Sequence, residues 1–279
     1  LNKSDAAERL PEFLTELKYA EKAANTLKKY QTNIEAFIGY LQPDKEIIKD
    51  DTLAFKQFLI NLKFQTSTIN SYIVSVNKYL KWLDHKELIV KQLKQQRKGS
   101  LEEVINLSDY KRMLRFAKTC GRMDIYYIMK ILVMTGIRIS ELKYFTVENL
   151  KTNYILAINK GKERNIILRQ DLVRELRKYC RENNIKTGYI FPGQARDRMI
   201  NESTVWRNMQ RIAGNAKIKK SKIHAHSFRH LFAKLYLDEF PNNITELADI
   251  LGHNSLETTR IYTRSTDAEK REKIERIRY

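Results

Sequence analysis

The sequence has little of what most small functional sites are built from. It holds two cysteines, Cys120 and Cys180, isolated from one another. They offer neither a disulfide framework nor a metal site, and they fit a reducing compartment, the cytoplasm. No apolar run approaches the roughly 18 residues of a membrane-spanning helix. The longest, YYIMKILVM at 126–134, is interrupted by Lys130. The N-terminal stretch is charged throughout, unlike a secretory leader, and the chain opens on Leu1 rather than Met, which reads as a trimmed or processed start. There is no internal repeat and no low-complexity segment. Acidic residues are also scarce: 33 Asp and Glu face 52 Lys and Arg over 279 residues, a net charge of +19.

A surplus of that size points to a polyanionic partner, and nucleic acid is the usual one. Residues 1–98 carry 17 basic and 12 acidic side chains; the remainder carries 35 and 21, so both parts are basic and the second more so. A hydrophobic content of 42% supports a real core, and the length suits two domains.

The first third reads as helical. In STINSYIVSVNKYLKWL, Ile69, Tyr72, Ile73, Val76, Leu80 and Leu83 recur at three and four residues, with Ser67 or Thr68 as a cap. Leu53, Phe55, Phe58, Leu59 and Leu62 repeat the pattern after Asp51. Leu27, Tyr30, Ile34, Phe37, Ile38 and Leu41 do so before Pro43. With a weaker helix over 6–20, this predicts a four-helix domain over 1–90 whose aromatic stripes, Tyr30, Phe37 and Tyr72 among them, are core. A basic segment, 91–103, loses the apolar period and reads as a linker able to lie along phosphates.

The second domain, 104–279, is predicted to be mixed. SDYKRMLRFAKTCG forms a helix capped by Ser108 and stopped by Gly121, and two helical stretches flank Gly136 and Arg138. YILAI and NIIL around NKGKE predict a β-hairpin with a turn longer than two residues. Helices follow at 170–183, 202–214, through KIHAHSFRHLFAKLYLD, through ITELADILG with Gly252 as its stop, and finally over 266–277.

Four pieces of this domain suit one task, breaking a phosphodiester without a metal. TGIRISEL supplies Arg138. The hairpin turn supplies Lys160 and Lys162. HAHSFRH sets His226 and Arg229 three residues apart on one side of a helix turn, and LGHNSLETTRIY places Tyr262 nine residues after His253. Two guanidiniums can grip the non-bridging oxygens, where negative charge grows at the transition state. A tyrosine phenol can attack in line once cations favour its phenolate, and a lysine ammonium can protonate the departing oxygen. The histidines can donate to the phosphate or carry the nucleophile's proton. No acidic cluster of the kind that binds Mg²⁺ accompanies them, so neither a metal nor another cofactor is expected. His224 and His230 read as packing or phosphate contacts.

These boxes resemble those of the tyrosine recombinases of the phage-integrase and Xer type, over nearly the whole chain. TGIRISEL resembles the first arginine box, HSFRH the His-x-x-Arg box with Phe228 where leucine is more usual, and LGHNSLETTRIYT the box running from histidine to the nucleophile. The resemblance implies a mainly α fold with a small β-sheet: a helical, SAM-like core-binding domain followed by a mixed α/β catalytic domain. It implies Tyr262 as nucleophile, Arg138, Lys160, His226, Arg229 and His253 as its assistants, and Glu141 as a supporting acid. NKGKER is one residue shorter than the family's usual hairpin, so Lys162 stays open as an alternative to Lys160. Double-stranded DNA is the implied partner, with four protomers on two duplexes and the C-terminal helix docking on a neighbour. A topoisomerase of the same chemistry and a non-catalytic DNA-binding regulator are the rival readings.

Overall fold

The computed structural model describes the chain except for residues 44, 95–103, 160–161, 196, 254–255, 261, 263–270, 272–273 and 278–279. It divides into two compact units, Leu1–Arg97 and Lys98–Tyr279.

The first unit is built from five helices: α1 (Lys3–Glu8), α2 (Leu10–Tyr19), α3 (Ala24–Tyr40), α4 (Lys49–Asn61) and α5 (Thr66–Trp82). The single helix expected over 6–20 is two. Asn2 and Asp5 form a capping box that starts α1, and Pro11, which cannot donate to a preceding turn, opens α2 after a break at Arg9. Phe13, Phe37, Phe55, Ile73 and Tyr79 are at most 1% exposed and form the core, with Tyr30 and Tyr72 packed partly buried against it. The Tyr79 hydroxyl donates to the Ala6 carbonyl at 2.5 Å, and buried Asn33 donates to Ser75 Oγ at 2.9 Å. In α4 the stripe is narrower than its spacing predicts. Thr52, Phe55 and Leu59 are buried, whereas Leu53, Phe58 and Leu62 are exposed. The cap of α5 also differs: the helix begins at Thr66 behind Gln65, with no side-chain cap.

Part of the segment expected as a linker lies along α5. Asn77 and Asn70 each use both ends of their amides, Asn77 on the backbone of Val90 and Asn70 on that of Leu93, at 2.7–3.1 Å. Residues 95–103 are outside the described part.

The second unit contains α6 (Leu107–Thr119), α7 (Met123–Thr135), strands β1 (Tyr154–Asn159) and β2 (Lys162–Ile167), α8 (Gln170–Glu182), α9 (Glu202–Asn215), α10 (Ala225–Glu239), α11 (Ile244–Leu251) and α12 (Leu256–Arg260). The chain is thus mainly α with a small sheet. Helix α7 is apolar nearly all round because α6, α8, α9 and α10 surround it, burying Ile125, Ile128, Met129, Ile131 and Leu132 completely. Asn106, not Ser108, caps α6, its Oδ1 accepting from Asp109 N at 2.8 Å. After Arg138 the chain forms a 3-10 turn, Ile139–Tyr144, where a helix was expected. Helix α10 starts at Ala225, later than its periodicity suggests, after a separate 3-10 turn at Lys220–Lys222.

The strands pair antiparallel from Tyr154↔Ile167 to Asn159↔Lys162, so two residues separate them, fewer than expected. Pairing continues into the polar residues that the sequence assigns to the turn. Ile155, Ala157 and Ile166 face the core, while Tyr154, Leu156, Ile158 and Ile167 face outward. The last expected helix, 266–277, lies mostly outside the described residues.

Two helices end at left-handed glycines. Gly136 closes α7 at φ +62°, and Gly252 closes α11 at φ +63°. A Cβ on Gly136 would lie 2.3 Å from the Phe232 ring and 2.9 Å from Leu251. Gly136→Ala therefore combines a disfavoured backbone with overpacking and should cost about 2–4 kcal/mol of stability. Urea denaturation of the variant measures that loss.

Candidate active site

The turn after α7 and the end of α11 bring the distant arginines together. At the end of a helix the last carbonyls have no partner within the helix, and the dipole makes that end negative. Here three consecutive carbonyls each accept from a guanidinium. Ile250 accepts from Arg164 Nη1, Leu251 from Arg229 Nη2 at 2.5 Å, and Gly252 from Arg138 Nη2 at 3.4 Å. Arg229 is 1% exposed, and its Nη1 reaches the Gly136 carbonyl at 2.8 Å, tying the end of α7 to the end of α11.

One carboxylate sits under this group. Glu141 Oε2 accepts from Arg164 Nη2 at 2.6 Å and from the Arg138 backbone N at 2.7 Å. Its Oε1 accepts from Arg164 Nε and from Arg138 Nη1, both at 3.3 Å. Burial works to raise the Glu141 pKa, but the hydrogen bond and charge of Arg164, together with Arg138, hold it below the usual carboxylate range. Three guanidiniums against one carboxylate leave the cluster at +2, and Arg138, with 31% of its side chain exposed, presents that charge to solvent.

Arg229 Nη2 also meets His253 Nε2 at 2.8 Å. A guanidinium can only donate, so Nε2 accepts, and the ring proton belongs on Nδ1, which lies 2.8 Å from the Oγ1 of fully buried Thr259. Burial foremost, then the charges of Arg229, Arg138 and Arg164, push the His253 pKa down to about 4, which agrees with a neutral ring. Burial also lowers Arg229, to about 10, with Arg138 and Arg164 adding to the shift and Tyr262 opposing it; the group stays cationic at neutral pH.

Tyr262 lies within this cluster. Its phenol acts electrostatically on Arg229, its ring stacks over His253 at 5.8 Å, and it meets the His230 ring edge-on at 4.3 Å. Ala233, Leu247 and Leu251 pack around it, leaving Tyr262 8% exposed. His226 stands at the open side, its pKa lowered by surrounding protein and then by Arg229, His224 and Arg138. His224 pairs with Ser227 Oγ at 2.9 Å.

Of the residues expected from sequence, Arg138, Glu141, Arg229, His253 and Tyr262 meet directly, and His226 lies within reach of the same charges. Lys160 lies outside the described residues, and for Lys162 it is the backbone, paired with Asn159, that is described. Two members went unexpected, Arg164 and Thr259. Arg164 did carry a signal: it shares the inward face of β2 with Ile166, a place where a charge needs a partner. Among the described residues no group of three His, Cys, Asp or Glu is placed to hold a metal ion, and no helix is long and apolar enough to cross a membrane. A 510 Å³ cavity lined by Val147, Leu150, Cys180 and Ile185 includes none of the site residues; converging charge marks the site better than concavity does.

The model of the phage integrase family matches residues 103–269, more than half of the chain. The tyrosine recombinase XerD of Listeria monocytogenes serovar 1/2a is 28% identical over 268 residues, covering 88% of this chain and 89% of that protein. The tyrosine recombinase XerA of Pyrococcus furiosus is 27% identical over 278 residues, covering 97% and 94%. Among solved structures, a lambda integrase tetramer bound to a Holliday junction superposes with a TM-score of 0.75 at 17% identity, over 94% of this chain and 77% of that one.

The histidines make stability depend on pH. Burial first, then His224 and His226, lowers His230 to about 4 as well. Between about pH 6.5 and 4 the unfolded chain binds protons at His230 and His253 that the folded chain does not. Their contribution is therefore complete above about 6.5 and is lost as pH falls toward 4. His230→Gln should flatten this part of the acid limb in melts run at successive pH values. An unchanged slope would remove the assignment.

Proposed function

The chain belongs to the phage integrase family of tyrosine recombinases, and on that premise we propose that it is a site-specific DNA recombinase that cuts and rejoins double-stranded DNA through a 3′-phosphotyrosyl intermediate. The observation that carries this reading is the meeting of Arg138, Arg229, His253 and Tyr262 at the end of α11, under a net charge of +2. A phosphodiester gains a second negative charge as it becomes pentacoordinate, and a fixed dication complements that state more than the ground state.

In this proposal the Tyr262 oxygen attacks the scissile phosphorus and forms the new P–O bond as the bond to the 5′-oxygen breaks. Tyr262 already lies against Arg229 and His253 of its own chain, which favours attack in cis. Arg138 and Arg229 hold the non-bridging oxygens. His253 keeps Arg229 oriented and supports the Tyr262 ring. His226, with its pKa lowered, is neutral at physiological pH and accepts the phenolic proton. Lys160 at the hairpin tip protonates the leaving 5′-oxygen, with Lys162 as the alternative donor. The adduct conserves the bond energy, so a 5′-hydroxyl from a second duplex reseals it without ATP or metal. Four protomers on two duplexes would allow that exchange, a number that the lambda integrase tetramer bound to a Holliday junction supports; the C-terminal helix is the element proposed to join them. The protein would act in the cytoplasm, where DNA and reduced thiols coexist.

Genomic fragments incubated with the protein and recovered under denaturing conditions should carry one recurrent sequence covalently attached to the wild type and none attached to Tyr262→Phe. DNA binding without any adduct would instead mark a regulator, and relaxation of supercoils without site preference a topoisomerase. On a nicked duplex of the recovered sequence, Arg229→Lys should bind normally but cleave about 10²–10³-fold more slowly, since an ammonium cannot reproduce the forked contact. Single-turnover cleavage assays read that difference.

A further inference from the structure

Arg164 is the one guanidinium of the cluster to which the proposed chemistry gives no task. Its side chain is 11% exposed, and its donors point inward: Nε and Nη2 grip both oxygens of Glu141, and Nη1 holds the Ile250 carbonyl. To touch a phosphate it would have to release a carboxylate with 2% exposure. Its stem lies flat on the turn after α11, since a Cβ on Gly252 would come within 2.6 Å of Arg164 Cδ. The side chain therefore acts on its neighbours.

Its effect on Arg138 follows from how Glu141 is shared. Charge-assisted N–H···O⁻ bonds run about 2.7–2.9 Å. Arg164 makes the short side-chain contact, 2.6 Å, whereas the Arg138 guanidinium sits at 3.3 Å from Glu141 and 3.4 Å from the Gly252 carbonyl. Arg138 is thus oriented without being consumed. With Arg164 removed, a buried carboxylate would lose its principal partner, and Arg138, the nearest remaining cation, would turn onto it.

We propose that Arg164 is a positioning residue: by satisfying Glu141 it keeps the Arg138 guanidinium free for the scissile phosphate. The inference rests on the recombinase reading above and adds a residue to it.

The test uses the nicked duplex recovered with the wild-type protein, made with an ordinary scissile phosphate or with a methylphosphonate, in which a neutral methyl group replaces one non-bridging oxygen. An enzyme lacking the Arg138 charge is penalised less on the neutral substrate. Arg164→Met should slow cleavage of the phosphate on the order of 10²-fold and of the methylphosphonate far less, matching the pattern of Arg138→Ala. The double variant should be no slower than Arg138→Ala alone, because both changes disable one group. Arg164→Lys, which cannot fork onto the carboxylate, should recover only part of the rate. If Arg164→Met does not fold, Arg164→Gln combined with Glu141→Gln removes both buried charges together and should restore most of the phosphate cleavage, since Arg138 then has no carboxylate to turn onto.

Equal losses on the two substrates, losses additive with Arg138→Ala, or unchanged cleavage would overturn the proposal and leave a plain structural tie. In the fallback pair, a loss as deep as that of Arg138→Ala would do the same. Failure of the wild type to cleave at all would bring down the recombinase reading itself, an outcome distinct from these.

Discussion

A single helix terminus organises the second unit. The carbonyls of Ile250, Leu251 and Gly252 end α11, and each holds one guanidinium, from β2, α10 and the turn after α7 respectively. Carbonyls anchor cations differently from carboxylates. They accept hydrogen bonds and offer the negative end of the helix dipole, yet they cancel no formal charge. Three arginines can thus be fixed side by side while, among the described residues, one carboxylate, Glu141, partners Arg138 and Arg164, and the cluster keeps a charge that a dianionic transition state can use.

Fixing the arginines in this way constrains the backbone. Leu251 accepts from Arg229 while Gly252 turns left-handed beneath the stem of Arg164, so residue 252 needs both a positive φ and an open Cβ position. The end of α7 is bound by the same logic, since Gly136 gives its carbonyl to Arg229 and its bare α-carbon to Phe232. The histidine follows from the arginine. Because Arg229 can only donate, it selects the His253 tautomer, and Thr259 receives the proton on the far side of the ring. Tyr262 then rests on an imidazole whose plane is already set. Each step removes a freedom that would otherwise have to be lost during the reaction.

The parts of the site that could be read from sequence are those where chemistry is dense over a few residues. Arg138 with Glu141, His226 with Arg229, and His253 with Tyr262 each lie within a short box. What the sequence hides is how the boxes are joined: Arg138 reaches Gly252 across 114 positions, Arg229 reaches Gly136 across 93, and Arg164 reaches Ile250 across 86. No periodicity encodes such contacts. Arg164 was passed over because a basic residue near a basic hairpin looks like surface until its inward register on β2 is known. The same limit explains α4. Its apolar residues at 53, 55, 58, 59 and 62 cover more than one face, and only α3 and α5 decide which part is buried. The helices themselves are legible, since buried α7 and the amphipathic helices around it carry their pattern locally, and so are the glycine stops at Gly121 and Gly252; the N-caps are not, because an asparagine two residues upstream competes with a serine on equal terms.

The hairpin has a fixed base. Ile155, Ala157 and Ile166 seat its inner face in the core, Arg164 pins β2 to Glu141 and the end of α11, and the Tyr144 hydroxyl donates to the Ile158 carbonyl from the other strand. Its outer face is left to solvent. A cation that stabilises a transition state is most effective when it does not move, because reorganisation costs part of what the charge supplies. A general acid must approach the leaving oxygen and withdraw after giving up its proton, so it is better carried on a flexible stem. In the proposed reaction, holding the arginine guanidiniums at the end of α11 and carrying Lys160 or Lys162 on the hairpin meets both demands. Because Arg164 belongs to the hairpin and to the cluster at once, the base of the hairpin is referenced to the same three carbonyls that hold the arginines.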